Sequence, residues 1–395
     1  MRQPRPPDRR LHLMHLVYNL GTGGMENTLI QVCNRLPTDE FRPTICVFEA
    51  GGGMEGRVDT ERVELIHVPR RFGNDPTVPF RVARQLRRRR IDILQTNQWA
   101  TLIEGIVAAK IARVPILVHG EHGKIRGRRR QIVAQRWVWS RVNQVYAVSA
   151  ALADRAARVV GFPRDRIGVI NNSVDTEHFR PAVTPKGELR KRFGLPTSGL
   201  LVGMVARFVP FKDHAGVIKA LARLRQADLD VRLAFVGNGP LRDELAQLAK
   251  DLRLADRVHF LGEMEQVRPL LQALDVFVSN SSHNEGLSLS VLEAMACGVA
   301  VVSTRVAASP EVLAGGVAGV LIPPRDTDAL VNALRELTEN PQRRISLALA
   351  GCKRAEEHYS VVTMVEGYRD MYARLFAPCR KNASNTTRAM SHGTT

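Results

Sequence analysis

The sequence predicts an α/β protein made of two doubly wound, Rossmann-like domains facing a central cleft. Three observations carry this. Short apolar runs alternate with amphipathic segments of helical length. A polar break with Pro181, Pro185 and Pro196 interrupts the alternation, which then restarts. At 395 residues the chain exceeds what one hydrophobic core usually organises.

In the first half, strands are expected over 11–20, 44–48, 65–68, 91–96, 116–118, 144–149 and 167–170. Helices are expected over 25–36, where Met25, Leu29, Val32 and Leu36 share one face, and over 78–90, 101–112, 131–142 and 150–160. In the second half, strands fall at 200–206, 231–236, 258–261, 276–279, 299–303 and 319–322. Helices fall at 214–225, 241–251, 267–274, 287–296 and 327–338, with further helix to 376. Strands alternating with helices of this length imply parallel sheets covered on both faces, with ligands beyond the carboxyl ends of the strands. The expected domains are 1–180 and 181–376, the last helix crossing back to the first domain, with a polar, disordered tail over 377–395.

Composition narrows the class. No run of about 20 apolar residues occurs, so no membrane-spanning helix is expected. The apolar stretch 11–20 ends in Gly21-Thr22-Gly23-Gly24, which reads as a strand and loop and not as a secretory signal. Five scattered cysteines, without metal or redox spacing, fit a reduced cytosol. With 57 Lys and Arg against 39 Asp and Glu, the net charge of +18 points to anionic partners. No zinc-finger spacing, aromatic RNA-binding strand or basic zipper accompanies it, so nucleic acid is not expected. The run from Lys124 to Arg141 mixes basic residues with Ile132, Val133, Trp137 and Trp139. It reads either as an anionic-membrane element, placing the protein on the inner face of the plasma membrane, or as an amphipathic helix packed on its own sheet.

Several segments carry chemistry. Glu285 and Glu293 stand eight positions apart, the first in a Gly-containing turn and the second in an apolar helical run ended by Gly298. That is a little over two helical turns, so both carboxylates can project to one side, beside a helix N-terminus that attracts phosphate. Gly21-Thr22-Gly23-Gly24-Met25-Glu26 follows the first strand and opens a helix, where glycines let a ligand approach the backbone. His119-Gly120-Glu121-His122-Gly123 ends another strand; two histidines without an evident third ligand make a metal site a minor reading. Asn171-Asn172-Ser173-Val174-Asp175 closes the first half. Arg207 and Lys212 follow the first strand of the second half and offer a planar fork and a point charge, as a departing diphosphate requires. Gly237-Asn238-Gly239-Pro240 is a turn after the next strand.

Taken in order, these segments resemble the motifs of glycosyltransferase family 4, retaining enzymes with the GT-B fold, and the likeness extends from Gly23 to near Phe376. The resemblance implies transfer of a hexose from a UDP- or GDP-sugar to a glycan or lipid-linked acceptor in surface polysaccharide synthesis, with no resident cofactor and no metal. It assigns His122, Arg207, Lys212 and Glu285 to catalysis. Gly23, Gly24, Asn238, Gly239, Glu285, Gly286, Leu287, Ser288 and Glu293, with Arg207 and Lys212, are assigned to the donor. Glu26, His119 and Asn172 are assigned to the acceptor side or the interdomain segment. It leaves His119 in reserve as the active-site histidine. Two other readings stand beside it: a nucleotide-sugar epimerase of the same fold, and a non-catalytic basic protein that binds membrane or polyanion.

Overall fold

The computed structural model describes residues 10–390 except 22, 72, 74, 98, 124–128 and 284–286, with side chains to residue 377. The chain divides into two compact units, Met1–Asn171 with Val362–Thr395, and Asn172–Val361.

Among the described residues the first unit carries a seven-stranded sheet. Its strands are β1 (Leu11–Val17), β2 (Phe41–Val47), β3 (Glu64–His67), β4 (Ile93–Asn97), β5 (Ile116–Glu121), β6 (Gln144–Ala147) and β7 (Ile167–Val169). All pairs are parallel, in the order β3-β2-β1-β4-β5-β6-β7. Helices α1 (Gly24–Arg35), α2 (Val78–Arg88), α3 (Trp99–Ala112), α4 (Arg129–Trp139) and α5 (Ala150–Val160) form the connections. Every residue of β1 is buried, His12 and His15 included, because a central parallel strand is covered on both faces. Ser149 caps α5 by accepting from Leu152 N at 3.1 Å, and Gly161, at φ 66°, ends it in the left-handed conformation.

The second unit has, among the described residues, a six-stranded parallel sheet in the order β10-β9-β8-β11-β12-β13. These are β8 (Leu200–Val205), β9 (Val231–Val236), β10 (Val258–Phe260), β11 (Val276–Ser279), β12 (Ala300–Thr304) and β13 (Val320–Ile322). Helices α6 (Lys186–Arg192), α7 (His214–Gln226), α8 (Arg242–Asp251), α9 (Arg268–Ala273), α10 (Leu289–Ala296), α11 (Ser309–Val312), α12 (Thr327–Glu339) and α13 (Pro341–Tyr359) surround it. Helix α14 (Val361–Met390) then packs on the first unit, where Tyr368 and Tyr372 are buried.

Each sheet reverses its direction of growth once, between β1 and β4 in the first unit and between β8 and β11 in the second. The connections on either side of such a point leave on opposite faces, opening a crevice at the carboxyl ends of the strands.

Three differences from the sequence expectations have physical causes. Helix α6 lies inside the Pro-rich polar break, for which the sequence predicts no helix. It is anchored by Arg190, 4% exposed, which donates to the Asp275 carboxylate, to Ala273 O at 3.1 Å and to Gly199 O at 3.1 Å. Asp275 also accepts from Leu201 N at 2.9 Å, so one ion pair ties α6 to the central strand. In α4, Trp139 is core while Trp137 is half exposed, two positions apart on a helix and hence on different faces. The helix to Met390 covers part of the segment read as disordered, since an anchored helix extends at little cost per residue.

Removing one partner of a buried pair leaves the other charge uncompensated. Asp275→Ala is therefore expected to lower stability by about 3 kcal/mol in urea unfolding, by orphaning Arg190. A loss within experimental error would show that α6 is held by its apolar contacts alone.

Candidate active site

In the second unit Arg207 and Lys212 follow β8, and Glu293 lies on α10, the helix after β11; β8 and β11 are the two strands that flank the switch point. Arg207 is exposed two residues beyond β8. Its loop is clamped by the turn after β9: Phe208 N donates to Asn238 O at 2.9 Å, and Leu241 N donates to Phe208 O at 3.2 Å. Gly237 and Gly239 make this clamp possible. A Cβ at Gly237 would stand 2.2 Å from Ala206 O, and one at Gly239, which has φ 154°, would stand 2.6 Å from Phe208 O. The turn thus has a packing reason for its glycines, and Asn238 Oδ1 accepts from Gly239 N at 2.9 Å.

Lys212 ends the turn Pro210–Lys212, its ammonium 5.5 Å from the centre of the Phe211 ring. Asp213, at φ 52°, caps α7 by accepting from Gly216 N at 3.1 Å. The same carboxylate accepts from Asn280 Nδ2 at 2.9 Å, and Ser282 N donates to Phe211 O at 2.7 Å. The loops after β8 and β11 are therefore stitched together across the crevice. The loop after β11 leads to Leu287, which is buried, and to Ser288, the N-cap residue of α10, whose Oγ lies 3.1 Å from Ser290 Oγ. Glu293 sits in the second turn of α10, and burial lifts its carboxyl to about 7. Glu285 and Gly286 lie outside the described residues.

In the first unit the corresponding crevice lies between β1 and β4. Gly23 caps α1 in extended geometry (φ −163°), followed by Gly24 as the first helical residue. The Glu26 carboxylate folds back over Gly23, where a Cβ would come within 2.2 Å of Glu26 Oε2. Burial raises the Glu26 carboxyl above the usual range, partly offset by a hydrogen bond from its own N–H. His122 follows β5 at the strand end, its Nε2 3.3 Å from Asn97 Oδ1 and its ring edge-on to Tyr146. Burial, then the neighbouring His119 and His15, lowers its pKa to about 3, so its imidazole is neutral. His119 is wholly buried inside β5, its Nδ1 2.9 Å from Thr96 Oγ1 and its Nε2 3.9 Å from Glu121 Oε2. Asn172 is buried at the start of the second unit. Among the described residues no cluster of three or more His, Cys, Asp or Glu could hold a metal ion.

Sequence reasoning missed Gln95, Asn97, Tyr146, Asp213 and Asn280. The first two carried a signal: carboxamides at alternate positions of a segment that reads as a strand.

Residues 22–178 match the family profile described as Glycosyltransferase Family 4, and residues 185–354 match that described as Glycosyl transferases group 1. A GDP-mannose-dependent alpha-(1-6)-phosphatidylinositol monomannoside mannosyltransferase of Mycolicibacterium smegmatis is 31% identical over 288 residues, covering 70% of this chain and 75% of that protein. The chain belongs to glycosyltransferase family 4. A second relative of this glycosyltransferase, from Escherichia coli, is a UDP-Gal:alpha-D-GlcNAc-diphosphoundecaprenol alpha-1,3-galactosyltransferase, 26% identical over 88% of this chain and 93% of its own. A Rickettsia africae glycosyltransferase structure superposes with a TM-score of 0.84 at 18% identity, covering 93% of this chain and 99% of that one. Anabaena HepE in complex with UDP gives 0.80 at 23% identity, covering 93% and 100%. The fold is thus the two-domain α/β GT-B arrangement, and the epimerase and non-catalytic readings are set aside. Among the described residues no helix is long and apolar enough to cross a membrane.

Glu293 yields a pH-dependent expectation. Its folded pKa is raised from 4.5 to about 7, so protonation favours the folded state below 4.5 and that contribution is lost as pH rises through about 7. Glu293→Gln should therefore unfold at higher temperature than the parent enzyme above pH 7, the gap narrowing as pH falls toward 4.5. Equal melting temperatures at pH 8 would show that the carboxylate is solvated.

Proposed function

We propose that this glycosyltransferase moves a hexose from a UDP- or GDP-sugar to a lipid-linked glycan acceptor, with retention at the anomeric carbon. The observation that carries the reading is the stitched pair of loops after β8 and β11, which hold Arg207 and Lys212 on the strand end where α10 and Glu293 follow. As the bond from the anomeric carbon to the phosphate oxygen breaks, its electron pair passes to the diphosphate. A guanidinium and an ammonium held in place beforehand stabilise that charge without reorganising. The acceptor hydroxyl oxygen bonds to the same face of the anomeric carbon, and its proton passes to the departing diphosphate oxygen. Glu293 accepts from the ribose hydroxyls, and Glu285 and the α10 N-terminus serve the sugar and phosphates. Gly23, Gly24, Glu26 and the neutral His122 line the sugar and acceptor side, with His119 supporting the strand behind them. Both named relatives act, by their names, on lipid-linked acceptors, which supports that class here.

The exposed face of α4 supports docking on an anionic membrane surface. Arg129, Arg130, Val133, Arg136 and Trp137 all point outward, and the Arg141 guanidinium stacks 3.5 Å over the Trp137 ring. A stripe of cations around an exposed indole suits the headgroup region. The rest of the run, 124–128, lies outside the described residues.

Nucleotide sugars ranked by thermal shift, then assayed with lipid-linked acceptors, test the reaction. UDP or GDP release is expected to require acceptor and to persist in EDTA, since two protein cations meet the diphosphate. Lys212→Ala should lower kcat by about 10²-fold or more at unchanged melting temperature; a fully active variant would remove the leaving-group role. Arg129→Glu with Arg130→Glu should reduce pelleting with phosphatidylglycerol vesicles by about tenfold or more. Unchanged pelleting would remove the membrane surface and leave the transfer reaction standing.

A further inference from the structure

The first unit buries a connected group of hydrogen-bonding side chains that the proposed reaction does not by itself explain. Gln95 and Asn97 occupy alternate positions of β4 and so share a face. Asn97 Nδ2 lies 3.5 Å from the Leu16 carbonyl, which can only accept. That fixes the carboxamide: its NH2 faces Leu16, and its Oδ1 faces the other way, 3.1 Å from Gln95 Nε2 and 3.3 Å from His122 Nε2.

The polarity then propagates. Gln95 presents its NH2 to Asn97 and donates from the same nitrogen to Tyr146 OH at 2.8 Å. Its Oε1 accepts the Tyr372 hydroxyl at 2.6 Å. Having used its one proton, the Tyr372 oxygen accepts from His15 Nε2 at 3.3 Å. Tyr146 OH also accepts from Tyr368 OH at 2.9 Å. Flipping the Asn97 amide would set its oxygen against the Leu16 carbonyl and its NH2 against that of Gln95, and flipping the Gln95 amide would set two amide oxygens against each other. Tyr368 and Tyr372 both come from α14, far along the chain from the strands they join.

The consequence falls on His122. Facing the Asn97 oxygen, its Nε2 must carry the proton. Its Nδ1 is buried with no hydrogen-bond partner among the described residues, a bare lone pair. Gly120 leaves room for this packing, since a Cβ there would stand 2.3 Å from Tyr146 OH and 3.0 Å from His122 Nε2.

We propose that Gln95 and Tyr372 are positioning residues: acting through Asn97, they hold His122 as its Nε2–H tautomer, so that Nδ1 is available to accept a substrate hydroxyl. The tautomer assignment stands on the hydrogen-bond geometry alone. Its use on a substrate rests on the transfer reaction proposed above.

Full-length enzyme labelled with 15N-histidine tests both parts. Long-range 1H–15N imidazole spectra, with His122 assigned by its absence in His122→Gln, should show a protonated Nε2 and an unprotonated Nδ1. Tyr372→Phe should introduce the second tautomer and lower kcat about tenfold with the KM for nucleotide sugar unchanged. Tyr368→Phe, which leaves the Gln95 carbonyl contact intact, should not move the tautomer. Should Tyr372→Phe fail to fold, Asn97→Asp should keep the Nε2–H form and Asn97→Leu should release it. A parent enzyme protonated on Nδ1, or a tautomer moved equally by Tyr368→Phe and Tyr372→Phe, would overturn the inference. A shifted tautomer with unaltered turnover would uphold the network and overturn the role of His122 in transfer.

Discussion

The reversal of strand order beside β8, and again beside β1, is the constraint from which the chemistry follows. Parallel strands end with their carboxyl termini on one side, and only where successive connections diverge to opposite faces is that side open. Arg207 and Lys212 stand at one such opening and His122 near the other. In each case neighbours hold the residues in place: the β8 loop by turns after β9 and β11, and the His122 ring by Asn97 of β4, itself bonded to Gln95, which takes a hydroxyl from α14. A cation on a loop fixed by main-chain hydrogen bonds needs little reorganisation when charge develops beside it.

The two openings are stabilised by different means. The second unit relies on glycine and backbone: Gly237 and Gly239 admit close approach, and Asp213 uses one carboxylate for a helix cap and an inter-loop bond. The first unit relies on buried side-chain polarity. His15, Gln95, Asn97, Tyr146, Tyr368 and Tyr372 lose water together, which is tolerable only because each finds partners in the others. Burial accordingly holds the three phenols above their usual range and His15 well below its own, at about 4, keeping the group uncharged.

Much of the fold was legible because apolar periodicity reports burial directly. The segment 231–236 reads as a buried strand and is one, and Ala150–Val160 shows the Ser cap and terminal Gly that delimit it. What escaped was held by distant partners. Helix α6 has little apolar periodicity; its anchor is Asp275, 85 residues away. The identity of residues at the strand ends was also legible, as with Arg207, Lys212 and Glu293. The fixation of the loop that carries the two cations was not, since the atoms that fix it are backbone carbonyls of Phe208 and Phe211 and a side chain at Asn280.

Composition and pattern alone determined that this chain makes two parallel α/β sheets, and which loops carry cations, carboxylates and histidines, because those properties depend on each residue's own chemistry and its near neighbours. Tertiary structure decided which of two nearby histidines the strand encloses. Both lie at the end of one strand, but His119 falls within β5 and is enclosed, while His122 lies beyond it. It also decided which ring nitrogen of His122 holds the proton, through an acceptor-only carbonyl in β1 and hydroxyls from the last helix. Such polarity is a property of a closed hydrogen-bond circuit, and its members come together only when the chain has folded.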